Sequence, residues 1–156
     1  MTKKSYDAEV FYYPGGIQLR LFNFRINHWN LRSDHREALD IVAVPFLNES
    51  SDYTFALNGM TSRSGPEAYN VVLSEKRAEE VLKYLKLKHV DSQLDSGRTG
   101  GIHAGGEDAA RTAGLLDNSE DPYYRAVEIL LLKNVLRHRL EEFRFGIPLP
   151  EDYGLG

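Results

Sequence analysis

Residues Leu57–Tyr84, LNGMTSRSGPEAYNVVLSEKRAEEVLKY, decide how this chain folds. Just before and into this stretch, Tyr53 to Asn58 alternates as a half-buried strand does, and Gly59 closes it. A polar loop, Met60 to Glu67, follows. Ser74 has the short side-chain oxygen that caps helices, so the pattern predicts a helix from about Glu75 to Leu87. Ala78, Val81, Leu82 and Leu85 fall on one face of that helix, and Lys76, Glu79, Glu80, Lys83 and Lys86 on the other.

Gly59, Thr61, Gly65, Tyr69, Asn70, Leu73, Ser74, Arg77 and Ala78 stand at fixed offsets in this stretch. Their order and spacing resemble the G-[HY]-T-D-x-x-G-x-x-x-Y-N-x-x-L-S-x-x-R-A signature of the OmpA-like peptidoglycan-binding domain family. Further on, Arg125-Ala126-Val127-Glu128-Ile129 is similar to the R-x-V-E-[IV] segment of that family's last core strand. The resemblance implies an α/β two-layer sandwich, a mixed sheet with helices on one face in a βαβαβ core, over about residues 22–133. It also implies a non-catalytic binding role. In the family an Asp takes the ammonium of diaminopimelate and the helix Arg takes its carboxylate. By residue-for-residue match, the family's ligand-binding roles fall on Asn70 and Arg77; the Thr61-Ser62 loop is expected to complete the ligand-binding site, with Arg125 bracing it or reaching the ligand.

The chain departs from the signature where it matters most, since Ser62 stands in the place of the Asp and Met60 in the place of the His or Tyr. Gly106-Glu107-Asp108-Ala109-Ala110, Gly114, Glu120-Asp121-Pro122 and Arg125-Ala126-Val127 resemble a subset of the family that carries this Ser. That resemblance implies a divergent branch with an altered ligand.

With Ser74 as cap, Arg77 falls at the third helical position. There its planar fork and the free amides of the first turn together favour a carboxylate beside the Thr61-Ser62 loop. Ser62 can accept a hydrogen bond from an ammonium but supplies no charge. In a partly desolvated pocket the missing carboxylate costs roughly 2–5 kcal/mol of binding, and Ser62→Asp is expected to recover some of it.

The remainder of the sequence bounds the reading. At 156 residues, 42% of them hydrophobic, the chain is expected to be a single domain spanning 1–156 with a real core. A net charge of −4 gives no reason to expect nucleic acid. There is no cysteine, and the five histidines lack metal-ligand spacing, so no metal or other cofactor is expected. No segment approaches the roughly 20 apolar residues of a membrane span. The start, MTKKSYDAEVFYYPGG, lacks an apolar run of signal-peptide length. The expected location is therefore periplasm or cell envelope if an export signal has been removed, and otherwise the cytoplasm or an assembled particle.

Along the chain, residues 10–27 read as a hairpin around Pro14-Gly15-Gly16. Ser33-Asp34 starts a helix, which Pro45 is expected to stop or bend near Ala43, leaving Leu47 to Asp52 as a polar linker. Asp95 to Asn118 reads as a long loop with one strand and one short helical turn, and Tyr123 to Lys133 as a strand. Residues 134–156 form a C-terminal extension ending in a loosely held tail. The function expected is recognition of a peptidoglycan stem peptide or a similar carboxylate-bearing ligand. The alternative is a scaffold that serves as a structural or protein-binding subunit without that ligand.

Overall fold

The computed structural model describes residues 2–4, 7–13, 16–49, 53–88 and 99–133. Its strands are β1 (Thr2–Lys4), β2 (Ala8–Tyr13), β3 (Gly16–Leu21), β4 (Tyr53–Met60), β5 (Thr99–Ala104) and β6 (Ala126–Lys133). They form one sheet in the order β1-β2-β3-β6-β4-β5. Every pairing is antiparallel except β4 with β5, so the sheet is mixed. The parallel pair requires a long crossover, and the helix α3 (Glu67–Lys88) provides it.

Alternation sorts the strand residues between the two faces. Leu19 and Leu21 of β3, Phe55 and Leu57 of β4, and Val127, Ile129 and Leu131 of β6 face the helices, where they pack with Ala78, Val81 and Leu85 of α3. Gly59 lies on this same face because α3 crosses directly over it. A Cβ there would sit 1.8 Å from the backbone oxygen of Ser74, so only glycine permits the strand and helix to approach this closely.

The opposite face carries a polar row instead. Arg20 lies opposite Glu9 on one side and Glu128 on the other, and Asn58 lies opposite Glu128. All four are buried. Arg20 pairs with Glu128, and its Nε and Nη2 donate to the Tyr123 carbonyl at 3.1 and 2.7 Å. Gln18 Nε2 donates to Glu128 at 2.8 Å, and the Arg20 guanidinium stands 3.9 Å from the Tyr123 ring centre. Burial of these charges is tolerable because each is paired and hydrogen-bonded.

The first helical region differs from expectation. It begins at Ser33 as predicted, in α1 (Ser33–Ala38), but the side chain that closes its first turn is that of His35: the Arg32 amide donates to His35 Nδ1 at 3.0 Å. Pro45 does not end the helix. A π-helical turn over Leu39–Ala43 lets the Val44 amide reach back to the Leu39 carbonyl, and α2 (Val44–Glu49) continues beyond it. The wider turn accommodates a residue that has no N–H and crowds the carbonyl one turn back. Leu47, read as linker, is consequently a core residue, buried with Leu39, Val42 and Ala43.

The hairpin expected over 10–27 is confined to β2 and β3, with β1 added outside it. Within 99–118 the expected strand and helical turn are β5 and α4 (Asp108–Thr112). A 3-10 turn at Pro122–Tyr124 delays β6 to Ala126, and the Asp121 carboxylate fixes that turn by accepting from the Tyr123 amide at 2.9 Å. Residues 134–156, Pro14-Gly15 and the Asp95–Arg98 part of the long loop lie outside the described residues.

Candidate functional site

The helix that carries the candidate arginine starts two turns earlier than its sequence suggests. It begins at Glu67, directly after Pro66, and the Asn70 amide makes its first bond to the Pro66 carbonyl at 3.0 Å. Val71 and Val72 are poor helix formers, but Pro66 presets the chain direction and Glu67 suits the positive end of the helix dipole. Ser74 is therefore an interior residue and not a cap. Its hydroxyl donates to the Val71 carbonyl at 2.7 Å and accepts from the Gly106 amide at 3.0 Å, tying α3 to the turn after β5.

Arg77 accordingly sits about 15 Å along the helix from its start, too far for the first-turn amides to share a ligand with it. It is almost completely buried. Its Nε donates to His28 O at 2.9 Å, Nη1 to Met60 O at 2.9 Å and Nη2 to Arg25 O at 3.1 Å. Three neutral carbonyls hold the guanidinium, and no carboxylate among the described residues pairs with it. Of its five N–H groups, two have no partner among the described residues. Loss of solvent, followed by repulsion from Arg125, brings its pKa down to about 10, and Glu120 pulls the other way. It remains charged at neutral pH.

The loop over 61–66 is clasped by the loop over 115–121. Ser62 Oγ donates to the Asp121 carbonyl and accepts from the Asp121 amide, both at 2.7 Å. Arg63 and Ser119 are joined through their backbones at 3.1 Å, as are Asn118 and Arg63 at 3.0 Å. Ser64 Oγ donates to Glu120. The Ser62 hydroxyl thus spends its one proton within the protein, and an aspartate there could not make the donated bond to Asp121 O. Thr61 is the reverse case. Its amide donates to Gly106 O at 2.8 Å, while its buried Oγ1 has no hydrogen-bond partner among the described residues.

These groups meet at one small cavity. Asn27, Thr61, Ser62, Ser64, Asn70, Leu73, Arg77, Glu120 and Arg125 line it, so the five residues selected from sequence share a single pocket. Its free volume is about 10 Å³, the size of one water-sized sphere. Asn70 Nδ2 donates to Ser64 O at 2.9 Å and braces the loop. Arg125 braces the opposite wall through Phe24 O at 2.6 Å, Asn23 Oδ1 at 3.2 Å and Glu120 Oε2 at 3.0 Å. Sequence reasoning did not assign Glu120 to the site. The only signal was its place in Glu120-Asp121-Pro122, since the Ser62 clasp that brings it into the pocket joins residues 59 positions apart.

The mixed sheet, the helices on one face and a small polar pocket lined by two guanidinium groups and a carboxylate define a small α/β module. Residues 23–112 match the OmpA family, and the chain belongs to that family. Outer membrane protein A of Atlantibacter hermannii is 39% identical over 79 residues, covering 50% of this chain and 32% of that protein. The chain thus spans about a third of that relative. Among solved structures, the OmpA-like domain of FopA1 from Francisella tularensis superposes with a TM-score of 0.53 at 23% identity, covering 85% of this chain and 79% of that one. The peptidoglycan-associated lipoprotein of Burkholderia pseudomallei gives 0.53 at 18% identity, with 70% and 87% covered. The family consists of non-catalytic binding or anchoring modules of cell-envelope proteins, and its members bind peptidoglycan. No helix among the described residues is long and apolar enough to cross a membrane.

Proposed function

We propose that this module binds the peptidoglycan stem peptide, or a closely similar carboxylate-bearing ligand, at the pocket between Arg77 and Arg125, and that it does so at the cell envelope. One observation carries the reading: among the described residues, a buried guanidinium without a carboxylate partner shares a cavity with a threonine hydroxyl that has no hydrogen-bond partner. Buried charges and buried hydroxyls are ordinarily satisfied, and a ligand carboxylate satisfies both. Because the cavity admits only one water-sized group, a single carboxylate oxygen enters it and the remainder of the ligand lies outside.

Calorimetric titration with a diaminopimelate-containing muropeptide tests this. Saturable binding is expected, and Thr61→Val, which keeps the side-chain shape and removes the hydroxyl, is expected to weaken it about tenfold, the value of one hydrogen bond to a charged partner. Thr61→Val is preferable to Arg77→Ala, which also removes three backbone contacts and threatens the fold. The near closure of the cavity favours a second reading, an OmpA-like scaffold used for protein contacts. Absence of binding at millimolar ligand leaves that reading in place of the first.

A further inference from the structure

The segment 25–36 and the C-terminal half of α3 enclose a groove that shares no lining residue with the Arg77 pocket. Two cavities of about 410 and 420 Å³ form it, and they join where Asn30, Leu31 and Arg36 line both. The first half is basic. Arg25, Arg32 and Arg36 line it, and no aspartate or glutamate does. Arg32 lies 3.6 Å from the buried Asp7, whereas Arg25 and Arg36 have no ion-pair partner among the described residues. Arg36 is fixed instead by donating to Leu31 O at 2.7 Å. The second half is mixed, with Trp29, Tyr84 and the exposed Leu87 beside Glu80 and Lys83. Lys76 and Lys88 stand 4.4 and 5.6 Å from the Trp29 and Tyr84 ring centres, and Tyr84 Oη donates to Asp40 at 2.8 Å. Both rings are therefore held in place.

We propose that this groove is a docking site for an acidic peptide segment of a partner protein, whose carboxylates sit among Arg25, Arg32 and Arg36 while one large apolar side chain packs against Trp29 and Leu87. Charge complementarity names the partner. The chain as a whole has a net charge of −4, yet the groove sets Arg25, Arg32, Arg36 and Lys83 against the single acid Glu80. A guanidinium with no acid of its own gains from an incoming carboxylate, which its planar fork takes through two parallel hydrogen bonds. The uneven distribution of charge then separates a peptide from a uniform polyanion. A phosphate polymer long enough to fill the groove sets one of its charges beside Glu80, and that like-charge contact is unfavourable. A peptide varies residue by residue, so it presents acids at one end and an apolar anchor at the other. Aromatic and arginine side chains gathered in one groove are also the residue types that dominate protein–protein binding energy. The assignment stands whether or not the Arg77 pocket takes a muropeptide.

Trp29 is the only tryptophan of the chain, so its fluorescence reports on the groove directly. The probe is a synthetic peptide of four glutamates, two glycines and a leucine, compared with the same peptide lacking the leucine and with inorganic polyphosphate. The leucine peptide is expected to shift the Trp29 emission saturably and to bind about tenfold more tightly than the peptide without it, in line with burial of one such side chain. Arg25→Gln and Leu87→Ser, both at exposed positions, are each expected to weaken it about tenfold, with thermal melting to verify folding. Added salt is expected to weaken binding further. Wild-type affinity in either folded variant overturns the docking assignment, as does an emission unmoved by millimolar peptide. Polyphosphate bound as tightly as the leucine peptide overturns the peptide as partner in favour of a simple polyanion.

Discussion

His35 is the residue whose environment departs most from what its neighbours in sequence suggest. It is fully buried, stacked on Phe24 with ring centres 4.4 Å apart, and its two nitrogens have fixed roles. Nδ1 accepts from the Arg32 amide, so Nε2 carries the proton and donates to Phe22 O at 2.6 Å. Desolvation lowers its pKa, with the Phe22 hydrogen bond opposing. Above the unfolded value of about 6.5 both states are neutral; below it the unfolded chain takes up a proton that the native ring resists, so stability falls as the pH drops toward the native pKa. Urea midpoints at pH 7.5 and 5.5 are expected to fall more for the wild type than for His35→Gln, and equal falls count against the assignment. The sequence showed only a histidine near a helix start, because its partners Phe22 and Phe24 reach it through the fold.

At the scale of elements, two helices changed their boundaries for physical reasons. The run over 67–74 contains valines and a serine that favour other structures locally, yet it is helical because packing of Leu73 and the close crossing at Gly59 stabilise it. The Pro45 region behaved similarly: the π-helical turn absorbs the proline, and burial of Leu47 holds α2 in place. Leu47→Ala is therefore expected to destabilise the protein by about 2–5 kcal/mol, the cost of emptying a core site. A denaturant midpoint unchanged within error would restore the linker reading. Strands were more legible, since alternation at β3 and β4 and the Val127-Glu128-Ile129 pattern of β6 follow the split of their side chains between the apolar face and the buried polar row.

At the scale of the whole molecule, the sheet divides its two faces between an apolar core and a buried polar row. Arg20→Met leaves the Glu128 carboxylate buried without its guanidinium, and a loss of about 3–5 kcal/mol is expected from urea unfolding. A loss below about 1 kcal/mol would mean that the pair adds little to the fold. The sequence by itself determined the family, through the spacing of its signature, and the core face of the strands, through their alternation, and the resemblance pointed to five of the nine residues that line the pocket. Only the tertiary structure decided that Arg77 is buried against three carbonyls, that Ser62 is spent on a distant backbone and that Glu120 lines the pocket. Each of these depends on loops meeting across long sequence separations, where burial and hydrogen-bond geometry, invisible to local pattern, set the chemistry.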